Sequence, residues 1–119
     1  MQKVHVNASR SYDILIGSGL LDKAGEYISA AITSRHVCVV TDDTVDALYS
    51  ARMMSTLAKN GFSAVKFVFP HGEASKCHKT LIQLYDFLAD NGFTRSDALI
   101  ALGGGVTGDL TGFAAASYM

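Results

Sequence analysis

The stretch Leu102-Gly103-Gly104-Gly105-Val106-Thr107-Gly108-Asp109 follows an apolar run and opens a segment of helical period. Glycines in such a turn let the backbone approach a bound group closely, and the unpaired N–H groups of a helix start favour anionic oxygens. The chemistry on offer is the cradling of a phosphate or pyrophosphate. Gly103, Gly105 and Gly108 also satisfy the spacing G-x-G-x-x-G, a weak match by itself. In a Rossmann fingerprint that motif fills the first βα turn and an acidic residue follows about 20 positions on. Here it fills the last such turn, so an acid that reads a ribose must come from earlier in the chain. The competing reading is a tight turn whose glycines serve only helix–sheet packing.

Two earlier segments offer that acid. Thr41-Asp42-Asp43-Thr44 ends one apolar run; Asp42 can accept hydrogen bonds from ribose hydroxyls or cap the next helix, and Asp43 reads as a cap. Pro70-His71-Gly72-Glu73-Ala74-Ser75-Lys76 ends the next. Glu73 can accept from a diol and Lys76 can donate to phosphate or ribose oxygens, while Gly72 permits the turn that aims them. Ser75 is placed to cap the following helix, and His71 reads as a turn residue beside the cleft. Taken singly, Glu73 and Lys76 also read as a solvated surface pair. An acid, an acid–base pair and a glycine cradle meeting at one sheet edge are what favour a binding site.

Other chemistries are poorly supplied. No Ser-His-Asp arrangement or pair of carboxylates on one helix can be assembled, so no catalytic residue is assigned. His5, His36, His71 and His78 lack mutual ligand spacing, and the adjacent Cys77 and His78 form no metal set. No metal ligand is assigned. Cys38 and Cys77 belong to no C-x-x-C pair, and Cys38 reads as buried filler.

These candidates need a scaffold. Lys3 to Val6 and Tyr12 to Ile16 suit a hairpin, with a one-faced helix from about Leu20 to Ile32 after Gly17-Ser18-Gly19. His36 to Val40 is a β-branched run without alternation, the pattern of a strand buried on both faces. A helix from Asp43 to Lys59, a strand from Phe62 to Phe69 and a helix from about Ser75 to Asp90 repeat the cycle. Ala98 to Leu102 and a helix from about Val106 to Ser117 begin a third. Asn60-Gly61-Phe62 and Asn91-Gly92-Phe93 end the internal helices, where Gly supplies a left-handed cap. The expected fold is α/β: a three-layer αβα, Rossmann-like, doubly wound domain over residues 1–119, its sheet mostly parallel, with an N-terminal β-hairpin. A doubly wound sheet seldom ends on the helix after its Gly-rich turn, so a longer parent chain is expected.

Composition narrows the partners. Nearly half of the 119 residues are apolar, 18% are charged and the formal net charge is −1. A globular domain fits; a phosphate-backbone footprint is lacking, so nucleic acid is not an expected partner. Neither a signal core nor a stretch long enough to span a bilayer is present, so no membrane role is expected and a cytoplasmic location is.

Taken together, Ser11-Tyr12-Asp13-Ile14, Ile16-Gly17-Ser18-Gly19, Thr41-Asp42, Gly72-Glu73-Ala74-Ser75-Lys76, Arg95-Ser96-Asp97 and Ala101 through Ala115 resemble, in order and spacing, the 3-dehydroquinate synthase family. The resemblance covers this chain and about the first third of a family member. It implies an NAD- and divalent-metal-dependent lyase, using zinc or cobalt, that converts 3-deoxy-D-arabino-heptulosonate 7-phosphate to 3-dehydroquinate and phosphate, as a homodimer acting on a small sugar phosphate. Carried over, Asp42 and Thr44 lie at the adenosine ribose, Glu73 and Lys76 at a ribose, and Gly104, Gly105, Val106 and Asp109 at the pyrophosphate and nicotinamide. His71, Gly72, Ala74, Ser75, Thr107 and Gly108 complete the expected cofactor-binding set. The family's metal ligands and most substrate contacts belong to a helical C-terminal domain, so this stretch alone is expected to be inactive. Thr107 stands where many members have Val or Ile. The alternatives are another sugar-phosphate cyclase, a metal-dependent polyol dehydrogenase, or a non-catalytic flavodoxin-like module.

Overall fold

In the computed structural model, which describes residues 1–118, the strands are β1 (Gln2–Val6), β2 (Tyr12–Ile16), β3 (His36–Asp42), β4 (Ser63–Phe69) and β5 (Ala98–Leu102). The α-helices are α1 (Ala24–Ala31), α2 (Asp43–Val45), α3 (Ala51–Lys59), α4 (His78–Asp90) and α5 (Gly105–Ser117). β1 and β2 form an antiparallel hairpin, and a separate parallel sheet has the order β4-β3-β5. The expected α/β class, with its hairpin, is what the structure shows.

β3 is the centre of the molecule because its apolar residues serve both faces. Val37 and Val39 pack with Met53, Leu57 and Phe62 on the α1/α3 side. Cys38 and Val40 pack with Phe69, Leu84, Leu88, Leu110 and Ala114 on the α4/α5 side. All four β3 residues are fully buried, which explains why the run carries no alternation. Burial also pushes the Cys38 thiol up to about 12, so Cys38 is the inert filler its position in the sequence implies.

Both Asn-Gly-Phe segments cap helices in the same way. Gly61 and Gly92 have φ of 81° and 70°, and the following Phe62 and Phe93 N–H groups donate back to Leu57 and Leu88 carbonyls at 3.1 and 2.9 Å. This is the Schellman arrangement, and the two phenylalanines then enter the core. The Asn side chains add a bond each, to the Thr56 and Phe87 carbonyls.

Three differences from the sequence reading bear on the candidate site. β3 runs two residues further, to Asp42. The helix expected over Asp43 to Lys59 is continuous in direction but contains a π-helical turn, Asp46–Ser50, where the Ser50 hydroxyl donates to the Asp46 carbonyl at 2.8 Å. The helix expected from Ser75 is divided: a 3₁₀ turn covers Glu73–Ser75, Cys77 is extended, and α4 begins at His78.

Candidate functional site

Strand register places three βα junctions at one level. Asp42 pairs with Phe69 across β3 and β4, and Thr41 pairs with Leu102 across β3 and β5. Asp42, Pro70 and Gly103 therefore leave the sheet along a common rim at its carboxyl edge. The strand order reverses at β3, since α3 carries the chain to one side and α4 returns it to the other. Open α/β sheets bind ligands at such a reversal.

At the first junction, Asp42 is the extended residue that caps α2, its Oδ1 accepting from the Val45 N–H at 2.7 Å. The cap is thus Asp42 rather than Asp43, because Asp42 is the last residue with strand dihedrals before the helix. Its second carboxylate oxygen is outside that bond. Asp43 turns sideways instead, and its Oδ1 accepts from the His71 backbone N–H at 3.0 Å and from His71 Nδ1 at 2.7 Å. The Thr44 hydroxyl lies 3.3 Å from the same ring nitrogen. Those His71 bonds hold the Asp43 carboxyl below the usual carboxylate range, and Asp43 in turn raises His71 above its ordinary value.

The second junction is a strap from Pro70 to Cys77. Gly72, at φ 103°, turns it back over the sheet edge, a conformation that only glycine takes readily. Ser75 does not cap α4. Its hydroxyl donates to the Pro70 carbonyl and closes the strap on itself, and α4 starts from Cys77 without a side-chain cap. Lys76 does not pair with Glu73 either; its Nζ reaches Asp109 Oδ2 at 2.7 Å, on the first turns of α5, and this contact raises the lysine above its ordinary value. Glu73 and Ala74 are exposed.

At the third junction the glycines divide into two kinds. Gly103 has φ of 150°, and a Cβ there would lie 2.7 Å from the Thr107 hydroxyl, so this glycine is demanded by the turn itself. Cβ atoms built on Gly104, Gly105 or Gly108 would meet nothing within 4 Å. Gly104 precedes α5 without a side-chain cap, and Gly108 N–H donates to the Gly104 carbonyl at 3.0 Å. The first N–H groups of α5, at Gly105, Val106 and Thr107, therefore face outward at a positive helix end. Thr107 itself is buried at 2% exposure and serves packing.

The structure thus brings the three segments together through two contacts that sequence reasoning did not foresee, Asp43 with His71 and Lys76 with Asp109. No local pattern could reveal them, since each joins residues that are far apart in the chain. A cavity of about 410 Å³ adjoins the second contact, lined by Lys76, Cys77, His78, Leu81, Asp109 and Phe113. Cys77 is exposed, and its thiol is lowered by a bond with the Thr80 hydroxyl. Alkylation of the folded chain should modify Cys77 and spare Cys38, as peptide mass mapping would show; labelling of Cys38 at a matching rate would contradict the packing described.

Among the described residues no group of three His, Cys, Asp or Glu side chains is placed to hold a metal ion, and no helix is long and apolar enough to cross a membrane.

Comparison with known proteins places this geometry. A profile described as 3-dehydroquinate synthase N-terminal matches residues 66–119. The chain is 47% identical over 118 residues to the 3-dehydroquinate synthase of Streptococcus suis (strain 05ZYH33) and 42% identical over the same length to that of Lactococcus lactis subsp. cremoris (strain MG1363). Each match covers 98% of this chain and 33% of the relative, so the chain spans about a third of the length of the proteins it matches. Among solved structures, 2-deoxy-scyllo-inosose synthase complexed with carbaglucose-6-phosphate, NAD+ and Co2+ superposes with a TM-score of 0.85 at 23% identity, over 98% of this chain and 32% of that one. The 2-epi-5-epi-valiolone synthase of Streptomyces hygroscopicus subsp. jinggangensis 5008, with NAD+ and Zn2+ bound, gives 0.75 at 28% identity, over 98% and 32% of the two chains. Such likeness at 23% identity speaks for the fold alone, whereas the synthase matches run through every segment of the rim: this chain is similar, along nearly its whole length, to the N-terminal third of the 3-dehydroquinate synthases.

Proposed function

We propose that the rim binds NAD and that the chain acts as the dinucleotide-binding part of a 3-dehydroquinate synthase. In that role it contributes to the conversion of 3-deoxy-D-arabino-heptulosonate 7-phosphate to 3-dehydroquinate and phosphate. The observation that carries the reading is the meeting of three βα junctions at one rim, with open space over Gly104, Gly105 and Gly108 at an uncapped helix start. A Cβ at any of those glycines would fill space that this chain leaves free, which is what a pyrophosphate approaching backbone N–H groups requires.

The residues suit the cofactor. Gly104, Gly105, Val106 and Gly108 would hold the pyrophosphate, with Asp109 and Lys76 at its edge. Asp42 retains one carboxylate oxygen for ribose hydroxyls, with Thr44 beside it, and Glu73 is exposed on the strap where it can accept from a diol. His71, Gly72, Ala74 and Ser75 shape the strap, and Thr107 packs beneath the cradle. When bound, NAD supplies a reversible hydride acceptor, and this chain's work is to orient it. Among the described residues no three side chains are grouped to hold a metal, and we assign the zinc or cobalt ligands and most substrate contacts to a helical domain in the two-thirds of the family's length that this chain does not match. We place the whole enzyme in the cytoplasm as a homodimer.

Identity of 42–47% to synthases against 23–28% to other cyclases favours the synthase over its relatives. A flavodoxin-like binding module shares the strand order seen here, and ligand choice separates it. Calorimetric titration with NAD, FMN and ATP should show saturable binding of NAD, weak for want of the cleft's far wall, with none for FMN. Selective FMN binding would overturn the reading. The 119-residue chain should show no turnover of the heptulosonate phosphate by itself; phosphate release above the uncatalysed rate would contradict that assignment.

A further inference from the structure

The strap from Pro70 to Cys77 is tied at both ends to other junctions. Lys76 fastens one end to Asp109 of α5 at 2.7 Å, and His71 fastens the other to Asp43 through two bonds to a single carboxylate oxygen. Between them lie Gly72, whose positive φ sets the turn, and the 3₁₀ turn carrying Glu73. Asp43 is half exposed and the helix after β3 takes its cap from Asp42, so capping does not account for the orientation of Asp43. We propose that Asp43 is a positioning residue: acting through His71, it holds the strap across the rim so that Glu73 and Lys76 are presented to the ligand. The inference rests on the dinucleotide reading for its purpose but not for its test.

Charge makes the clasp responsive to pH. The charged groups around it are Asp42 and Asp43 from the β3–α2 junction, Glu73 and Lys76 within the strap, and Asp109 from α5. Asp43 bonds the ring directly, and Asp42 adds attraction. Because His71 is raised, its charged contribution is complete below about pH 6.5 and is lost as pH climbs through the raised value. Because Asp43 is lowered, its contribution is complete above about pH 4 and is lost as pH falls through the lowered value. The clasp is fully charged in the window between.

The test is amide hydrogen exchange of Gly72 to Lys76 by NMR at pH 6, on the 119-residue chain without ligand, for the natural sequence, Asp43→Ala and His71→Gln. Asp43→Ala should speed exchange in the strap about tenfold while β3 and α4 amides are unchanged. In the natural chain, Gly72 and Glu73 shifts should follow the His71 ring through one midpoint above the ordinary histidine value. His71→Gln should abolish that titration. Folded Asp43→Ala with unaltered strap exchange would overturn the proposal, and so would Gly72 and Glu73 shifts that in His71→Gln still pass through the same midpoint above the ordinary histidine value. Strap exchange that responds as expected in a chain that never binds NAD would support the clasp while sinking the dinucleotide reading.

Discussion

Gly105→Val abolishes NAD binding, at least thirtyfold by calorimetry, while leaving the thermal midpoint within about 2 °C of the natural chain. The two halves of that expectation have separate physical origins. Nothing in this chain lies within 4 Å of a Cβ at position 105, and Gly105 opens α5 with ordinary helical geometry, so a larger residue there strains no packing. Replacing Gly in a helix even removes some backbone entropy from the unfolded state. The same isopropyl group would occupy the space through which a pyrophosphate reaches the helix N–H groups, and a cradle works only when the backbone is approached closely. A variant that binds NAD as well as the natural chain would move the cradle elsewhere. One that loses binding only because it unfolds would show Gly105 to be structural, the role that the geometry gives to Gly103.

The largest effect on stability belongs far from the rim. Gly25 lies where α1 crosses α3, and a Cβ there would meet the Thr56 carbonyl oxygen at 2.2 Å and Asn60 Nδ2 at 2.7 Å. The Gly25 N–H also donates to Thr56 Oγ1 at 3.1 Å, a buried bond between the two helices. Thr56 O is backbone and cannot rotate away, so Gly25→Ala must push the helices apart and disturb the Asn60 bond that finishes α3. Overpacking of this kind costs about 3 kcal/mol, and the better helix propensity of Ala offsets about 1 of it. The net loss of about 2 kcal/mol should lower the midpoint by roughly 6–10 °C in a thermal melt. Gly112→Ala is the control: it sits in α5 with nothing within 4 Å of the added atom, and it should be neutral or stabilising by about 0.5–1 kcal/mol. Equal melting of the two variants would refute the close crossing of α1 and α3.

Where local chemistry decides structure, the sequence was a sufficient guide. The apolar run at β3 and the helix-period stripe at Leu81, Leu84, Tyr85 and Leu88 each specify an element because burial acts along the segment itself. Asn-Gly-Phe specifies a cap because all of its partners lie within six residues. The glycine turn at Gly103 and the helix start that follows it were legible for the same reason.

What escaped is what the folded chain decides. Two adjacent aspartates, Asp42 and Asp43, can each cap a helix, and the choice fell to Asp42 only because β3 extends to that residue. Ser75 precedes a helical pattern, yet its hydroxyl is taken by the Pro70 carbonyl, which delays α4 to His78. The π turn at Asp46–Ser50 leaves hydrophobic periodicity nearly intact, so no pattern marks it. Lys76 has Glu73 three residues away and takes Asp109 instead, because α5 and the strap are brought together by the sheet.

The three βα junctions of the rim would meet a single ligand. Titration of the isotopically labelled chain with NAD, followed amide by amide, tests this most directly. Asp42 to Thr44, Gly72 to Lys76 and Gly103 to Asp109 should shift together with a single dissociation constant, while the β1–β2 hairpin stays unchanged. Shifts confined to one segment, or centred on the hairpin and α1, would contradict it.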